Sequence, residues 1–175
     1  VEVESKIGVG STFTVTIPCR IASEEEAQAK RAADPADRES LRGTRILLTE
    51  DNDLNAEIAT ELLQEEGCTV DRAKDGVECV DMLEKAANGT YQLILMDVQM
   101  PVMNGYEVAR GLRSSPRWRV VPLVAVTALS MQGDREKALE VGFNEHLSKP
   151  ITPETFVQQI ESFLANARQT LPPSG

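Results

Sequence analysis

The chain has 175 residues, of which 41% are apolar, so it can bury a core and is not disordered throughout. Its 28 acidic residues outnumber the 18 basic ones and give a net charge of −10, which argues against nucleic-acid binding. The longest apolar run, 120–126, is broken by Pro122 and is far shorter than the roughly 20 residues of a membrane-spanning helix, and no secretory signal is visible.

The first predicted element is a hairpin. Residues 1–18 alternate polar and apolar side chains around a glycine-rich turn at 7–11, which predicts two strands. An isolated hairpin is marginally stable in water, so we expect this segment to be poorly ordered or to pack opportunistically. Residues 19–43 are rich in alanine and in charges of both signs, which predicts a linker with a short helix near 24–33.

From Thr44 onward, strand-like and helix-like patterns alternate. Short, almost wholly apolar runs such as ILL, LILM and LVAV are typical of parallel strands that are covered on both faces. The predicted strands are 45–49, 69–72, 92–96, 123–126 and 145–147. The predicted helices are 54–66, 76–87, one from about 105, 131–141 and 153–165. Five βα units predict an α/β fold: a (βα)5, doubly wound, five-stranded parallel sheet of the flavodoxin-like type.

Charged and hydroxyl side chains follow four of these strands. Glu50 and Asp51 follow the first strand, Asp97 the third, Thr127 the fourth and Lys149 the fifth. Ligands of such sheets bind at the carboxyl ends of the strands, so these groups are expected to meet there. Three crowded carboxylates favour a hard cation such as Mg²⁺, while a lysine and a threonine can bind phosphoryl oxygens. The set predicts an aspartate that accepts a phosphoryl group.

The motifs around these residues resemble those of response regulator receiver domains. The resemblance covers about 120 residues, from Thr44 to Ala165, and four motifs occur in the family's order: ILLTEDN (46–52), LILMDVQMPVMNGYE (93–107), VAVTA (124–128) and HLSKP (146–150). The resemblance implies that Asp97 is the phosphoacceptor. It also implies a Mg²⁺ site formed by Glu50, Asp51, Asp97 and the backbone carbonyl of Gln99.

The same resemblance assigns the groups that bind the phosphoryl oxygens and respond to them. The phosphoryl-binding residues are Thr127, the backbone N–H of Ala128, and Lys149, and the Lys149–Pro150 peptide is expected to be cis. Thr127 and His146 are the switch residues, although many receivers carry Phe or Tyr where His146 stands. The alternative for His146 is an edge-strand side chain that faces solvent or a partner. Gly105 is expected to relieve backbone crowding at the start of the third helix.

The flanking segments suggest a parent protein. ESKIGVGSTFTVTIP (4–18) is similar to the closing strands of a histidine-kinase ATP-binding domain. We therefore divide the chain into a remnant of that domain (1–18), a linker (19–43), a receiver domain (44–166) and a disordered tail (167–175). This order implies a hybrid sensor histidine kinase with a cytoplasmic receiver. If the parent protein is anchored in a membrane, the receiver is expected on its cytoplasmic side.

The implied partners follow from that parent. A histidine kinase module would donate the phosphoryl group, and a histidine-phosphotransfer domain would receive it. Docking is expected near Asn55, Ala59 and Ile151, without nucleic acid and without direct membrane contact by this fragment. No DNA-binding domain follows Ala165, so we expect the output to be phosphotransfer rather than transcription.

Two alternatives stay open. One is a Mg²⁺-dependent phosphatase with an aspartyl nucleophile, against which Asp97 is followed by Val98 and Gln99 rather than by an acid two residues on. The other is a degenerate receiver that serves only as a docking module, against which the complete residue set argues. In the favoured interpretation the domain is not a conventional enzyme, because it catalyses only the gain and loss of its own phosphoryl group.

Two further groups lie outside this site. The cysteines lack metal-ligand spacing and are interpreted as buried or idle thiols in a reducing compartment: Cys19, Cys68 and Cys79. A basic cluster surrounds the third helix and the following loop, where it would either meet an acidic partner or be a solvated loop: Arg110, Arg113, Arg117 and Arg119, with Trp118.

Overall fold

The computed structural model describes residues 2–6, 10–14, 41–128 and 132–170, and the chain divides into two units after Pro35. The first unit contains an antiparallel hairpin of β1 (Glu2–Lys6) and β2 (Gly10–Thr14). The two predicted strands are thus confirmed. The predicted turn at 7–11 was too long, because residues 10 and 11 already pair with β1. The proposed linker helix at 24–33 lies outside the described residues.

The second unit alternates strands and helices along the chain. Its elements are β3 (Arg45–Thr49), α1 (Asp53–Glu65), β4 (Thr69–Ala73), α2 (Gly76–Lys85), β5 (Leu93–Asp97), α3 (Gly105–Ser114), β6 (Leu123–Thr127), α4 (Gln132–Val141), β7 (Glu145–Ser148) and α5 (Pro153–Thr170). The strands form one five-stranded sheet in the order β4-β3-β5-β6-β7, and every neighbouring pair is parallel. This confirms the predicted doubly wound α/β fold.

The central strand β5 separates two hydrophobic cores. All five of its residues are buried. Leu93 and Leu95 point to the core under α1 and α5, whereas Ile94 and Met96 point to the core under α2, α3 and α4. Because successive strand residues face opposite sides, the interior residues of a strand that is covered on both faces are apolar, and the charged Asp97 stands at the end of β5. The unbroken apolar run in the sequence therefore has a direct structural cause.

The last helix is longer than predicted. The pattern placed its end near residue 165, but α5 continues to Thr170. The first proline after it is Pro172, and the segment before Leu171 contains neither glycine nor proline to end the helix. The first four residues of the predicted disordered tail (167–170) are therefore helical, and residues 171–175 lie outside the described part of the chain.

The start of α3 is held close to the end of β5. Asn104 caps the helix: its side chain accepts a hydrogen bond from the backbone of Glu107, whose carboxylate accepts one from the backbone N–H of Asn104. Gly105 follows, and a β-carbon there would lie only 2.5 Å from the carbonyl oxygen of Asp97. This confirms that Gly105 relieves backbone crowding, and it ties the geometry of α3 to the strand end that carries Asp97.

Arg113, one member of the basic cluster, is a structural residue. Its Nε donates to the carbonyl of Gly142 at 2.6 Å, and its Nη2 donates to the Asn144 side chain at 2.7 Å. Its Nη1 reaches backbone carbonyls of the 118–121 loop, including that of Val121 at 3.0 Å. Both interpretations of the cluster were wrong for Arg113, because its donors are used within the fold.

Two of the three cysteines are buried free thiols, as predicted, and Cys19 lies outside the described residues. Burial raises the pKa of both Cys68 and Cys79 to about 11. None of the helices in the described part of the chain combines the length and apolar character that a membrane span requires.

Candidate functional site

Sheet register brings the predicted carboxylates together. Thr49, the last residue of β3, lies opposite Met96 of β5. Glu50 follows Thr49 and Asp97 follows Met96, so these two acidic residues lie side by side at the carboxyl edge of the sheet. Asp97 in turn lies opposite Val126, one residue before the end of β6. The site is therefore built by three adjacent parallel strands.

An acidic cluster occupies this edge. Carboxylate oxygens of Glu50, Asp51 and Asp97 lie within 4.8 Å of one another. Glu50 is 2% exposed and Asp97 is 5% exposed, whereas Asp51 is open to solvent. Buried carboxylates at this separation repel one another unless a cation joins them.

Lys149 supplies one such cation. Its Nζ lies 2.7 Å from Glu50 Oε2 and 2.7 Å from Asp97 Oδ2. Burial alone would lower the pKa of Lys149, but hydrogen bonds and charge attraction from Asp97 and Glu50 outweigh burial and raise it. The backbone N–H of Lys149 donates to the backbone carbonyl of Thr127 at 2.8 Å. The Lys149–Pro150 peptide is cis, as predicted. Lys149 is thus held at the site by its backbone as well as its side chain.

Two residues that sequence analysis did not assign to the site hold the loop after β3. Asn55 Nδ2 donates to Glu50 Oε1 at 3.0 Å. Arg72, on the neighbouring strand β4, donates to the backbone carbonyls of Glu50 and Asp51. Arg72 lies opposite Leu48, close to the end of β3, and this register could have predicted its contact with the loop. Such a prediction requires knowing that β4 lies beside β3.

The remaining predicted site residues lie at different positions around this cluster. The backbone N–H of Gln99 donates to Asp97 Oδ1 at 2.8 Å, which orients the carboxylate, and the Gln99 side chain is exposed. Thr127 is buried at the end of β6, and the exposed Ala128 follows it. His146 is half-buried within β7, opposite Ala125, so it lies below the edge where the carboxylates meet.

The predicted docking residues do not form one exposed surface. Ala59 is 1% exposed and packs in the core with Ala56 and Leu63, on the face of α1 that covers the sheet. Helical spacing turns Ala59 inward, so a partner that docks near α1 would contact neighbouring residues rather than Ala59 itself. Asn55 and Ile151 are partly buried.

Comparisons with known proteins agree with this geometry. The family model for the response regulator receiver domain matches residues 46–161. The polar-differentiation response regulator DivK of Brucella anthropi is 35% identical over 122 residues, covering 70% of this chain and 97% of DivK.

Similar solved structures include a receiver domain with bound magnesium. One is the receiver domain of the sensor histidine kinase PA1611 from Pseudomonas aeruginosa PAO1, which has a magnesium ion coordinated in its active-site cleft. It is 35% identical, and the match covers 70% of this chain and 98% of that domain with a TM-score of 0.63. Chemotaxis protein CheY4 of Vibrio cholerae is 26% identical, and the match covers 69% of this chain and 98% of CheY4 with a TM-score of 0.64. Fold, site and relatives agree: the chain belongs to the response regulator receiver domain family of two-component signalling.

Proposed function

We propose that Asp97 accepts a phosphoryl group from a phosphohistidine. The observation that carries this proposal is the position of its carboxylate: buried at the end of β5, grouped with two further carboxylates and 2.7 Å from an ammonium. A carboxylate oxygen forms the new bond to phosphorus as the donor's phosphorus–nitrogen bond breaks and the imidazole leaves. Such transfer is catalysed mainly by positioning and charge neutralisation, which this cluster is built to supply.

The donor set fits Mg²⁺. Carboxylate oxygens of Glu50, Asp51 and Asp97 lie within 4.8 Å of one another, and Asp51 is open to solvent, as suits an ion that keeps several of its waters. These residues would hold the ion, with the backbone carbonyl of Gln99 as a further ligand by resemblance to the family. The bound ion supplies positive charge beside the phosphoryl oxygens.

Three residues at the same edge of the sheet are proposed to bind the transferred group. Lys149 already contacts Asp97 Oδ2, so its ammonium needs little movement to pair with a phosphoryl oxygen. The hydroxyl of Thr127 and the N–H of Ala128 are proposed to donate to the other oxygens, and His146 is proposed to reorient with Thr127. The phosphorylated and free states would then differ in population.

Intact-mass spectrometry after incubation with Mg²⁺ and acetyl phosphate tests this function. We expect one phosphoryl increment in the wild type and none in Asp97→Asn. Asp81→Asn is the matched control, because Asp81 is an exposed carboxylate on α2 that pairs only with Lys85 among the contacts described. Labelling of Asp97→Asn at the wild-type level would show that the acceptor is a different residue.

We further propose that the parent is a hybrid histidine kinase. The support is the antiparallel pair of strands β1 and β2, which suits a remnant of an ATP-binding domain, and the similarity of the chain to solved receiver domains of histidine kinases. The phosphodonor would be a histidine kinase module and the recipient a histidine-phosphotransfer domain, on the cytoplasmic side. Loss of label from phosphorylated Asp97 to an added histidine-phosphotransfer domain would test the second step.

A further inference from the structure

We infer that Arg72 is a positioning residue for the Mg²⁺ site: its guanidinium fixes the backbone of the loop that carries Glu50 and Asp51, and so sets the affinity of the acidic cluster for the ion. This inference rests on the proposed function of the cluster.

The contacts of Arg72 converge on the short segment between Glu50 and Asp53, which joins β3 to α1. Its Nε and Nη2 donate to the carbonyl of Glu50 at 3.2 Å and 3.0 Å. Nη2 also reaches the carbonyl of Asp51 at 3.3 Å, and Nη1 lies 2.7 Å from Asp53 Oδ1. One side chain thus ties the end of β3, the loop and the first residue of α1 to strand β4.

These contacts matter most for Asp51. The side chain of Glu50 is held by Asn55 and Lys149, and that of Asp97 by Lys149 and the backbone N–H of Gln99. Asp51 is exposed, and Arg72 reaches it through the backbone. Where the Asp51 carboxylate lies therefore depends on the loop backbone that Arg72 holds, and a metal site loses affinity when such outer contacts are removed.

Arginine suits this task because of its shape and its pairing. The planar guanidinium can donate in several fixed directions, whereas a lysine ammonium is a point charge that cannot span the same three acceptors. A positive charge near the cluster would by itself weaken Mg²⁺ binding. Asp53 offsets this, since its carboxylate pairs with the same guanidinium. Arg72 and Asp53 together hold the loop in place and add no net charge beside the acidic cluster.

The experiment removes the contacts while keeping the net charge. In Arg72→Gln/Asp53→Asn, one positive and one negative charge are lost together. The matched control is Arg45→Gln/Asp71→Asn, which also removes one arginine and one aspartate joined at 2.7 Å; this pair links the start of β3 to β4, away from the acidic cluster. The rate of phosphorylation by acetyl phosphate is measured by intact mass against Mg²⁺ concentration, and Mg²⁺ binding is measured independently by calorimetry.

We expect the half-saturating Mg²⁺ concentration of Arg72→Gln/Asp53→Asn to rise about tenfold or more, while the rate at saturating Mg²⁺ stays within about twofold of wild type. The control should keep the wild-type half-saturation. If Arg72 had a purely structural role, its loss would lower the thermal midpoint without raising the half-saturating Mg²⁺ concentration. An unchanged half-saturation, or a lower saturated rate with no change in half-saturation, would overturn the inference.

Two further results separate the inference from the proposed function. If wild type is not labelled, the proposed function fails, and the calorimetric Mg²⁺ affinity alone then decides the role of Arg72. If circular dichroism shows that the double variant does not fold, Arg72→Lys takes its place. Weaker Mg²⁺ binding in Arg72→Lys supports the inference, and wild-type binding overturns it.

Discussion

Substitution of Gly105 by alanine should destabilise the domain, although alanine is ordinarily the better helix residue. A β-carbon at Gly105 would lie 2.5 Å from the carbonyl oxygen of Asp97 and 3.0 Å from the Cα of Val98. Both neighbours are backbone atoms, so relief requires α3 and the end of β5 to separate. Overpacking of this kind typically costs about 1–3 kcal/mol. For a domain of this size, that corresponds to a thermal midpoint lower by roughly 4–12 °C.

Gly111 in the same helix provides the control. A β-carbon there meets no atom within 4 Å, and the position lies inside α3. Gly111→Ala should therefore stabilise the domain by about 0.5–1 kcal/mol through helix propensity. Urea denaturation and thermal melts of both variants measure the difference. Equal shifts of the same sign would refute the argument, because they would show that contact with the end of β5 does not limit the residue at 105. Gly105→Ala should also slow labelling of Asp97.

The site and the core support three further predictions. Lys149→Met should leave Mg²⁺ binding intact or strengthen it a few-fold, because the ammonium that competes for two of the carboxylates is removed; weaker binding by calorimetry would contradict the proposed ligand set. Native Cys68 and Cys79 should resist iodoacetamide at pH 8 until urea unfolds the domain, as peptide mass spectrometry can measure, because the pKa of each buried thiol is about 11. Since the pKa of the folded thiols lies above the ordinary value of 9.0, unfolded thiols ionise first, and stability should fall as pH rises from about 9 to 11. Equal alkylation rates before and after unfolding would contradict the burial of these thiols.

The positions of the site residues could be predicted because they depend on strand ends. In a parallel sheet every strand delivers its following residue to the same edge, so Glu50, Asp97 and Lys149 could be grouped from the pattern alone. Their pairing could not be predicted, because the direction of a side chain depends on its rotamer and on the neighbouring strand. The contact of Lys149 with Glu50 as well as Asp97 is such a result.

The errors also have physical causes. Ala59 was chosen to mark a docking region, but with Ala56 and Leu63 it belongs to the inward face of α1 and cannot itself meet a partner. Arg113 was grouped with charged neighbours along the chain, but its partners Gly142 and Asn144 are about 30 residues away in sequence and become neighbours only in the folded sheet. Contacts of this kind depend on long-range topology rather than on local composition.

The bridge made by Lys149 has a consequence for local unfolding. Strand β7 lies at the edge of the sheet, and β6 separates it from β5. Edge elements generally open with a smaller free energy than central ones, and their amides exchange hydrogen sooner. The Lys149 ammonium connects the end of this edge strand to carboxylates at the ends of the interior strands β3 and β5. We therefore expect a change of charge at Asp97 to alter the free energy of opening β7, so that chemistry at one carboxylate changes how often the edge of the sheet is open.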